Sequence, residues 1–265
     1  MQIILEGNYS CVRSVVALGM FDGVHLGHRV LIERGAALAR QRKVPLVVCT
    51  FQTHPLAVIA PDKCPPSLTT FAERCALMEK LGVDVLCAMP FTPDTMNMLP
   101  EEYVGHLVRR FHPTDVVCGY NHTFGRKGQG TPALLDALGA ALGFSVSIVP
   151  KITLDNEDVS STVIRELLRK GDVDQARAML KRPYKLTAMV EGQDTEGRCA
   201  LCLMDEGKQR VASGSYRALL QQGDHRWPVM LHTSAADHML CHLPCKLEVG
   251  EPASLSFWVN LSIDF

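Results

Sequence analysis

The sequence predicts an α/β domain built on a parallel sheet, followed by a small all-β, barrel-like domain. Two observations support this prediction. Apolar strand-like runs alternate with segments of helical periodicity up to about residue 180, whereas beyond Pro183 the chain turns to short strand-like pieces separated by Gly, Asp, Pro and His. We therefore place the first domain at residues 1–183 and the second at residues 184–265.

The first domain contains five apolar runs of strand length, at residues 15–18, 44–51, 83–89, 115–119 and 144–149. Helical spacing fills the intervals at residues 30–38, 71–82, 100–111 and 132–142, and two more helices follow at 160–171 and 173–180. Because each strand is apolar throughout, we expect a parallel sheet with helices on both faces. In such sheets ligands bind beyond the carboxyl ends of the strands. The strand-like pieces of the second domain include residues 185–190, 228–232 and 253–259.

Composition restricts the class of partner. The 265 residues are 47% hydrophobic and 21% charged, and the net charge of −1 gives no general attraction to nucleic acid or to acidic membranes. Anion binding must then come from local sites, and we expect a small-molecule partner. No apolar run approaches the roughly 20 residues that span a bilayer, and the first residues lack signal-peptide features, so we expect a cytoplasmic protein. Several of the ten cysteines lie in apolar runs, where we expect reduced thiols.

The most informative stretch is residues 19–29, which read GMFDGVHLGHR between the first strand and the first helix. Glycines at such a turn let the backbone approach a ligand, and the helix N-terminus attracts phosphate. His25 and His28 are three residues apart near the helix start, so both can face one anion, with Asp22 on the same turn. A lone histidine would be a cap or a satisfied polar group, but the combined order of Gly, Asp and His favours an anion site.

A second cluster follows at residues 160–165, SSTVIR. Hydroxyls at a helix start cap its N–H groups, and Arg165 lies one turn along, so phosphate can be held there too. The alternative is a plain N-cap followed by a solvent-facing arginine.

A third cluster is the loop at residues 119–130, GYNHTFGRKGQG. Its glycines and the Arg126-Lys127 pair suit a loop that closes on an anion, while Tyr120 and Phe124 offer faces to a ring. A surface loop with a solvated basic tip is the alternative.

Taken together, these motifs resemble the FAD synthetase module of prokaryotic bifunctional riboflavin kinase/FMN adenylyltransferase proteins. The turn at 19–28 resembles its nucleotide-binding motif, and four further stretches match in order: TFQTHP at 50–55, the loop at 121–125, residues 160–162 with Arg165, and the closing helix at 176–184. The resemblance implies a Rossmann-like nucleotidyltransferase domain over about the first 180 residues. It also implies transfer of AMP from ATP to FMN, giving FAD and pyrophosphate with Mg²⁺, for which we assign no direct protein ligand.

The resemblance also implies roles for individual residues. ATP contacts would come from Gly19, Phe21, Asp22, Gly23, His25, Gly27, His28, Ser161, Thr162 and Arg165, and flavin contacts from His54, Pro55, Asn121, Phe124 and Arg126. The catalytic residues among these would be His25, His28, Asn121 and Arg165. Two departures from the family pattern stand out: Thr53 replaces a frequent Pro, and residues 121–123, NHT, replace Asp-Phe-Arg beside the reacting phosphates.

The second domain departs further from the family. Residues 190–198 resemble the approach to the riboflavin kinase motif, but its Pro-Thr-Ala-Asn element is absent, although residues 212–218 resemble the following strand. We therefore predict a degenerate barrel without kinase activity. Cys199, Cys202, Cys241 and Cys245 have spacings that zinc sites use, but residues three apart on a strand point to opposite faces, so we favour core or surface thiols.

Two other functions are compatible with the motifs. One is a related nucleotidyltransferase that acts on another phosphorylated acceptor, because the histidine motif indicates the bound nucleotide and the type of reaction more clearly than the identity of the acceptor. The other is a flavin or nucleotide sensor that has lost catalysis and uses the barrel to bind a protein partner of unknown kind.

Overall fold

Strands and helices alternate in the first part of the chain, in the order that the apolar pattern predicts. The computed structural model describes residues 1–5, 10–234, 237–243 and 245–260. The elements are β1 Gln2–Ile4, β2 Ser14–Leu18, α1 Leu26–Arg42, β3 Leu46–Phe51, α2 Leu56–Ile59, α3 Phe71–Lys80, β4 Val85–Met89, α4 Pro93–Asn97, α5 Pro100–Phe111, β5 Pro113–Gly119, α6 Pro132–Leu142 and β6 Ser145–Val149. A small hairpin follows, formed by β7 Thr153–Leu154 and β8 Glu157–Asp158. Strand β1 and helices α2 and α4 are too short to show a periodic pattern in the sequence.

Six of these strands form one sheet in the order β1-β4-β3-β2-β5-β6, and every pairing is parallel. Both faces are covered. Val15 and Ala17 of β2 pack with α1 and α3 on one face, whereas Val16 and Leu18 pack with α5 and α6 on the other. The predicted parallel α/β sheet is thus confirmed. Strand β2 lies between β3 and β5, so the segments that leave the carboxyl ends of these three strands are neighbours at one edge of the sheet.

The remaining elements are α7 Ser161–Lys170, α8 Val173–Leu180, β9 Tyr184–Gln193, β10 Arg198–Leu203, β11 Gly214–Gln222, β12 His225–Thr233, β13 His238–His242 and β14 Pro252–Asn260. The six strands close into an antiparallel barrel in the order β10-β13-β12-β11-β14-β9, in which β9 pairs back with β10. Tyr184, Leu186, Ala188 and Val190 are buried at alternate positions of β9, which is how a strand fills a barrel interior. The predicted all-β domain is therefore a closed barrel.

Contacts divide the chain into two compact units. Met1–Pro65 and Thr69–Asp158 form the first, and Pro66–Leu68 and Val159–Phe265 form the second. By this division α7 and α8 group with the barrel, and the assignment of residues 1–183 to one functional domain stays a prediction. Within the described ranges, no helix combines the length and the apolar character that a membrane crossing needs.

Candidate functional site

The turn that follows β2 has an unusual backbone. Phe21 and Val24 have positive φ angles of 55° and 40°, and Gly23 between them has 79°. Residues other than glycine rarely adopt positive φ angles, so contacts with surrounding residues have to hold this turn in place. Phe21 and Val24 are fully buried, and a Cβ atom on Gly19 would lie 3.0 Å from the Phe21 ring. A side chain at position 19 would therefore crowd the Phe21 ring, and the buried side chains of Phe21 and Val24 hold the turn in place.

Hydrogen bonds between Thr69 and the residues Asp22 and Gly23 stabilise the turn. The backbone N–H of Gly23 donates to the Thr69 hydroxyl at 3.0 Å. Both the N–H and the hydroxyl of Thr69 donate to Oδ1 of Asp22 at 3.1 Å. Asp22 and Thr69 are both buried, so the carboxylate shapes the turn that presents the histidines. A direct ATP contact by Asp22 stays a prediction. Nothing in the local sequence marks Thr69, which lies 47 residues from Asp22.

His25 and His28 stand together at the start of α1. His25 is the N-cap residue, and its Nδ1 accepts a hydrogen bond from the His28 N–H at 3.4 Å. The two rings stack with centroids 3.7 Å apart and planes inclined by 19°, and the His28 ring also contacts the edge of Phe21. The structure therefore brings the two predicted histidines onto one surface at a helix N-terminus, where N–H groups and the helix dipole favour an anion. Gly27 lies in the first turn of the same helix.

His28 is held in its neutral form. Its Nδ1 atom is buried and has no hydrogen-bond partner. Burial is the main cause of a pKa well below 6.5, and the nearby His25 and Arg74 side chains lower the pKa further. A bound phosphate would have the opposite effect, because negative charge favours the imidazolium. The unpartnered nitrogen and the depressed pKa are features of a group that is completed by a ligand.

Arg74, which the sequence did not single out, lies beneath the turn. It projects from α3, whose start is fixed by a capping box between Thr70 and Glu73. Its guanidinium is buried and donates to the carbonyl oxygens of Met20 at 2.9 Å and Gln52 at 2.6 Å. It therefore ties the segment after β2 to the segment after β3. Burial lowers the pKa of Arg74, and Asp22 partly offsets this effect. A charged residue on the apolar face of α3 is the one local signal of its role.

A cavity of about 700 Å³ opens beside this edge of the sheet. Its lining is largely aromatic and apolar, and includes Phe51, Met89, Phe91, Tyr103, Phe111 and Phe124. Cationic side chains Arg110, Arg126 and Lys127 also contribute to the lining. The volume falls within the range of roughly 300–1,000 Å³ of small-molecule sites, and aromatic walls with a few polar groups are typical of sites for flat rings. Of the predicted flavin contacts, Pro55, Phe124 and Arg126 line this cavity.

The loop after β5 forms one wall of the cavity and is shaped around Phe124. The backbones of Phe124 and Gly130 pair across the loop, at 2.8 and 3.2 Å. A Cβ atom on Gly130 would lie 2.5 Å from the Phe124 ring, so only glycine fits there. Phe124 itself is 6% exposed and packs against Tyr103 and His122, with centroids 5.3 and 5.8 Å apart. The loop is thus an ordered wall of the cavity, while Arg126 and Lys127 at its tip are exposed, so an anion contact by this pair stays a prediction.

His122 brings a polar group into this wall. Its Nε2 atom is buried without a hydrogen-bond partner, and burial lowers the pKa of His122 to about 4. The ring is therefore neutral at pH 7, and His122 is one of the residues that line the cavity. By the family pattern given above, His122 stands at the position of Phe, and the two charged positions on either side are held by the uncharged Asn121 and Thr123.

Two predicted flavin contacts lie next to the cavity lining. His54 accepts a hydrogen bond from the Leu56 N–H at 3.1 Å through Nδ1 and so stabilises the start of α2. Asn121 is exposed on the loop after β5. Flavin contacts by both residues, and a catalytic role of Asn121, stay predictions.

The cluster at the start of α7 has the geometry of a helix cap. Ser160 accepts a hydrogen bond from the Val163 N–H at 3.2 Å, which leaves Ser161 and Thr162 as the first two residues of the helix. Arg165 donates through Nε to the Pro66 carbonyl at 2.6 Å. Both the cap and Arg165 belong to the second unit, and phosphate contacts by Ser161, Thr162 and Arg165 stay predictions.

The four cysteines considered as a zinc set lie in different environments. Cys199 and Cys241 face each other across β10 and β13 and are buried, whereas Cys202 and Cys245 are partly exposed. All ten cysteines of the chain fall within the described ranges, and all are free thiols. Among the described residues, three side chains of metal-ligand type lie close together, and Cys202 is the one member of this group that belongs to the four cysteines.

Comparisons with known proteins agree with this geometry. A family model described as FAD synthetase matches residues 9–163, more than half of the chain. The bifunctional riboflavin kinase/FMN adenylyltransferase of Listeria monocytogenes is 34% identical over 197 residues, which cover 74% of this chain and 62% of that protein. The protein of the same description from Bacillus subtilis is 34% identical over 188 residues, covering 70% of this chain and 59% of that protein. The matched region spans about 60% of the length of these relatives.

A solved structure has the same fold. The crystal structure described as a macrolide-efflux protein from Streptococcus pneumoniae has a TM-score of 0.89 and covers 99% of this chain and 91% of its own. At 23% identity this likeness concerns the fold alone. The family model, by contrast, matches over the stretch that contains the histidine turn and the cavity loop, and the two relatives are each 34% identical to this chain. The chain therefore belongs to the FAD synthetase family.

Proposed function

We propose that this chain transfers AMP from ATP to FMN and forms FAD and pyrophosphate. One observation carries the proposal: the stacked His25 and His28 pair and the aromatic cavity occupy the same edge of the sheet. The histidine turn leaves β2, and the segments that leave the flanking strands β3 and β5 line the cavity. The flavin ring would occupy the cavity with its phosphate directed toward the turn. Membership of the FAD synthetase family supports this assignment.

In the proposed reaction, an oxygen of the FMN phosphate attacks the α-phosphorus of ATP. The bond from that phosphorus to the oxygen bridging the α and β phosphates breaks, and pyrophosphate leaves with the bridging oxygen. Negative charge spreads over the oxygens of the transferred group, so catalysis depends on positioning and electrostatic stabilisation. The α1 N-terminus and the imidazole N–H groups of His25 and His28 would supply both. Because Nδ1 of His28 has no partner, its use by a phosphate breaks no existing hydrogen bond of that atom.

The described residues around the turn fit a magnesium ion that is bound mainly by ATP. Mg²⁺ keeps several waters and binds through phosphate oxygens and one or two carboxylates. Asp22, the carboxylate of the turn, already accepts two hydrogen bonds from Thr69, and within the described part of the chain no group of three ligands forms there. When bound, Mg²⁺ would neutralise part of the phosphate charge. Ser161, Thr162 and Arg165 would hold the β and γ phosphates.

The proposal also includes the loss of riboflavin kinase activity. The curated relatives are described as bifunctional, but the Pro-Thr-Ala-Asn element expected of the kinase is missing from the barrel sequence. A cytoplasmic location, where the free thiols would stay reduced, completes the proposal. Transfer to another phosphorylated acceptor is the second candidate, and residues 121–123 favour it because they depart from the family pattern in the wall of the cavity.

A direct assay distinguishes these functions. The full chain is incubated with ATP and Mg²⁺ plus either FMN or riboflavin, and the flavins are separated by chromatography. We expect FAD from FMN and no FMN or FAD from riboflavin. Conversion of riboflavin would contradict the loss of kinase activity. Tight FMN binding without FAD formation would favour the sensor, and absence of FMN binding would favour another acceptor.

The His28→Ala variant tests the role assigned to the turn. Removing one donor to the transition state typically lowers the rate by about 10²–10³-fold, and we expect a loss of that order in FAD formation. His225→Ala is the matched control, because it removes an exposed histidine of the barrel and should leave the rate unchanged. Circular dichroism would check that both variants fold. Near-normal turnover of a folded His28→Ala protein would contradict the mechanism.

A further inference from the structure

Three side chains of metal-ligand type meet on the barrel. Glu191 of β9, Cys202 of β10 and His238 of β13 each place one ligand atom within 4.8 Å of the other two. Nδ1 of His238 lies 3.1 Å from Oε2 of Glu191. The three residues are far apart in sequence, so their proximity comes from the pairing of the strands.

The register of the barrel explains how they meet. Strand β10 pairs with both β9 and β13, and Cys202 lies opposite His238 on one side and Met189 on the other. Glu191 is two residues beyond Met189 and therefore lies on the same face of β9. The register between β9 and β10 shifts at Ala200 and Leu201, an irregularity of the kind that redirects nearby side chains. The adjacent residues Val190, Leu201 and Met239 are buried, so the three ligands point outward from the barrel.

We propose that Glu191, Cys202 and His238 form a binding site for a divalent cation of the zinc class. A thiolate and an imidazole prefer zinc and similar transition metals, whereas Mg²⁺ and Ca²⁺ prefer oxygen ligands. Bonds of about 2.0–2.3 Å to a tetrahedral zinc place ligand atoms roughly 3–4 Å apart, which small rotations of these side chains achieve. Three protein ligands leave the fourth position to water.

The charges of the three groups suit such a cation. Glu191 and the Cys202 thiolate together offset two positive charges, and His238 binds as neutral imidazole. Binding therefore displaces the proton of the Cys202 thiol. The bound cation would connect three neighbouring strands, β9, β10 and β13, on the outside of the barrel. Other residues of metal-ligand type on these strands have different surroundings. The His242 ring contacts the Glu196 carbonyl oxygen at 2.7 Å, and Cys199 and Cys241 are buried inside the barrel.

Metal titration of the full chain tests the site. The protein is stripped with a chelator and dialysed, then titrated with Zn²⁺ by calorimetry and with Co²⁺ by absorption, which reports a cobalt–thiolate bond as a charge-transfer band. We expect one equivalent of metal and a thiolate band. Because the side chains of Glu191 and His238 are 42% and 61% exposed, substitutions there should leave the fold intact.

Variants identify the ligands. Cys202→Ser should abolish the cobalt–thiolate band, and His238→Gln and Glu191→Gln should each weaken zinc binding by at least about tenfold, the lower end of what even an outer-shell change costs. Cys245→Ser and His242→Gln are matched controls and should bind zinc like the unmodified protein. The proposal fails if the unmodified chain binds no metal at large molar excess, if the band persists in Cys202→Ser, or if the controls lose as much affinity as the ligand variants.

Discussion

The largely buried imidazole of His122 makes the stability of this protein depend on pH in a predictable way. Its pKa is about 4 in the folded chain and close to 6.5 in the unfolded chain, because burial disfavours the charged ring. Between these two values the unfolded state binds more protons than the folded state. The free energy of unfolding therefore falls as the pH drops from about 6.5 to about 4, and His122 contributes no further loss below that range.

The size of the effect follows from the two pKa values. They differ by about 2.5, and at about 1.36 kcal/mol per pH unit the loss reaches about 3 kcal/mol. This value is an upper bound, since part of the His122 side chain remains in contact with solvent. His122→Phe removes the titrating group while keeping an aromatic ring against Phe124. It also removes the unpartnered Nε2 atom, so we expect the variant to be more stable at pH 7 by about 1–3 kcal/mol.

The assay is chemical denaturation of both proteins across this pH range. Circular dichroism should follow the transition, because Trp227 and Trp258, the two tryptophans of the chain, lie in barrel strands and their fluorescence would report the second unit. At each pH, the free energy of unfolding of the variant is subtracted from that of the unmodified protein, which cancels the contribution of all other titrating groups. His225→Phe serves as the control at an exposed position. If the difference between the unmodified protein and His122→Phe stays constant between pH 6.5 and 4, the reasoning is refuted.

Two further variants test the support of the site. Arg74→Met removes a cation that lowers the pKa of His28 and leaves two backbone carbonyls without their charged donor. The pKa of His28 should therefore rise, and the free energy of unfolding should fall by about 2 kcal/mol or more. NMR titration of the His28 ring and chemical denaturation measure the two effects, and an unchanged His28 pKa would contradict the assigned effect of Arg74. Gly130→Ala places a Cβ atom 2.5 Å from the Phe124 ring, so it should lower the free energy of unfolding by about 1–3 kcal/mol and weaken FMN binding. Gly192→Ala is the control, because nothing lies within 4 Å of the added atom, and it should bind FMN normally. Equal FMN affinity of the two variants would count against the packing argument.

Local sequence patterns predicted most elements of the first unit. Each apolar run found in the sequence is a strand of the parallel sheet, and the helices at Pro100–Phe111 and Pro132–Leu142 begin and end at the residues that the pattern indicates. This succeeds because strands buried on both faces are apolar throughout and helices carry caps and a periodic face. The turn with His25 and His28 was also found from sequence, because its glycines and histidines are consecutive. The elements missed, β1 and α2 among them, are too short to show a period.

What the sequence determined by itself is therefore the class of fold, the place of the histidine turn and the family to which its motifs point. Tertiary structure alone decided which distant groups surround those residues. Thr69 and Arg74 support the turn from another segment, His122 acquires its depressed pKa only by burial in the cavity wall, and Glu191, Cys202 and His238 meet only when three strands pair. Periodicity records the environment of neighbours along the chain, whereas contacts between residues tens of positions apart depend on strand order and register, which no local pattern contains.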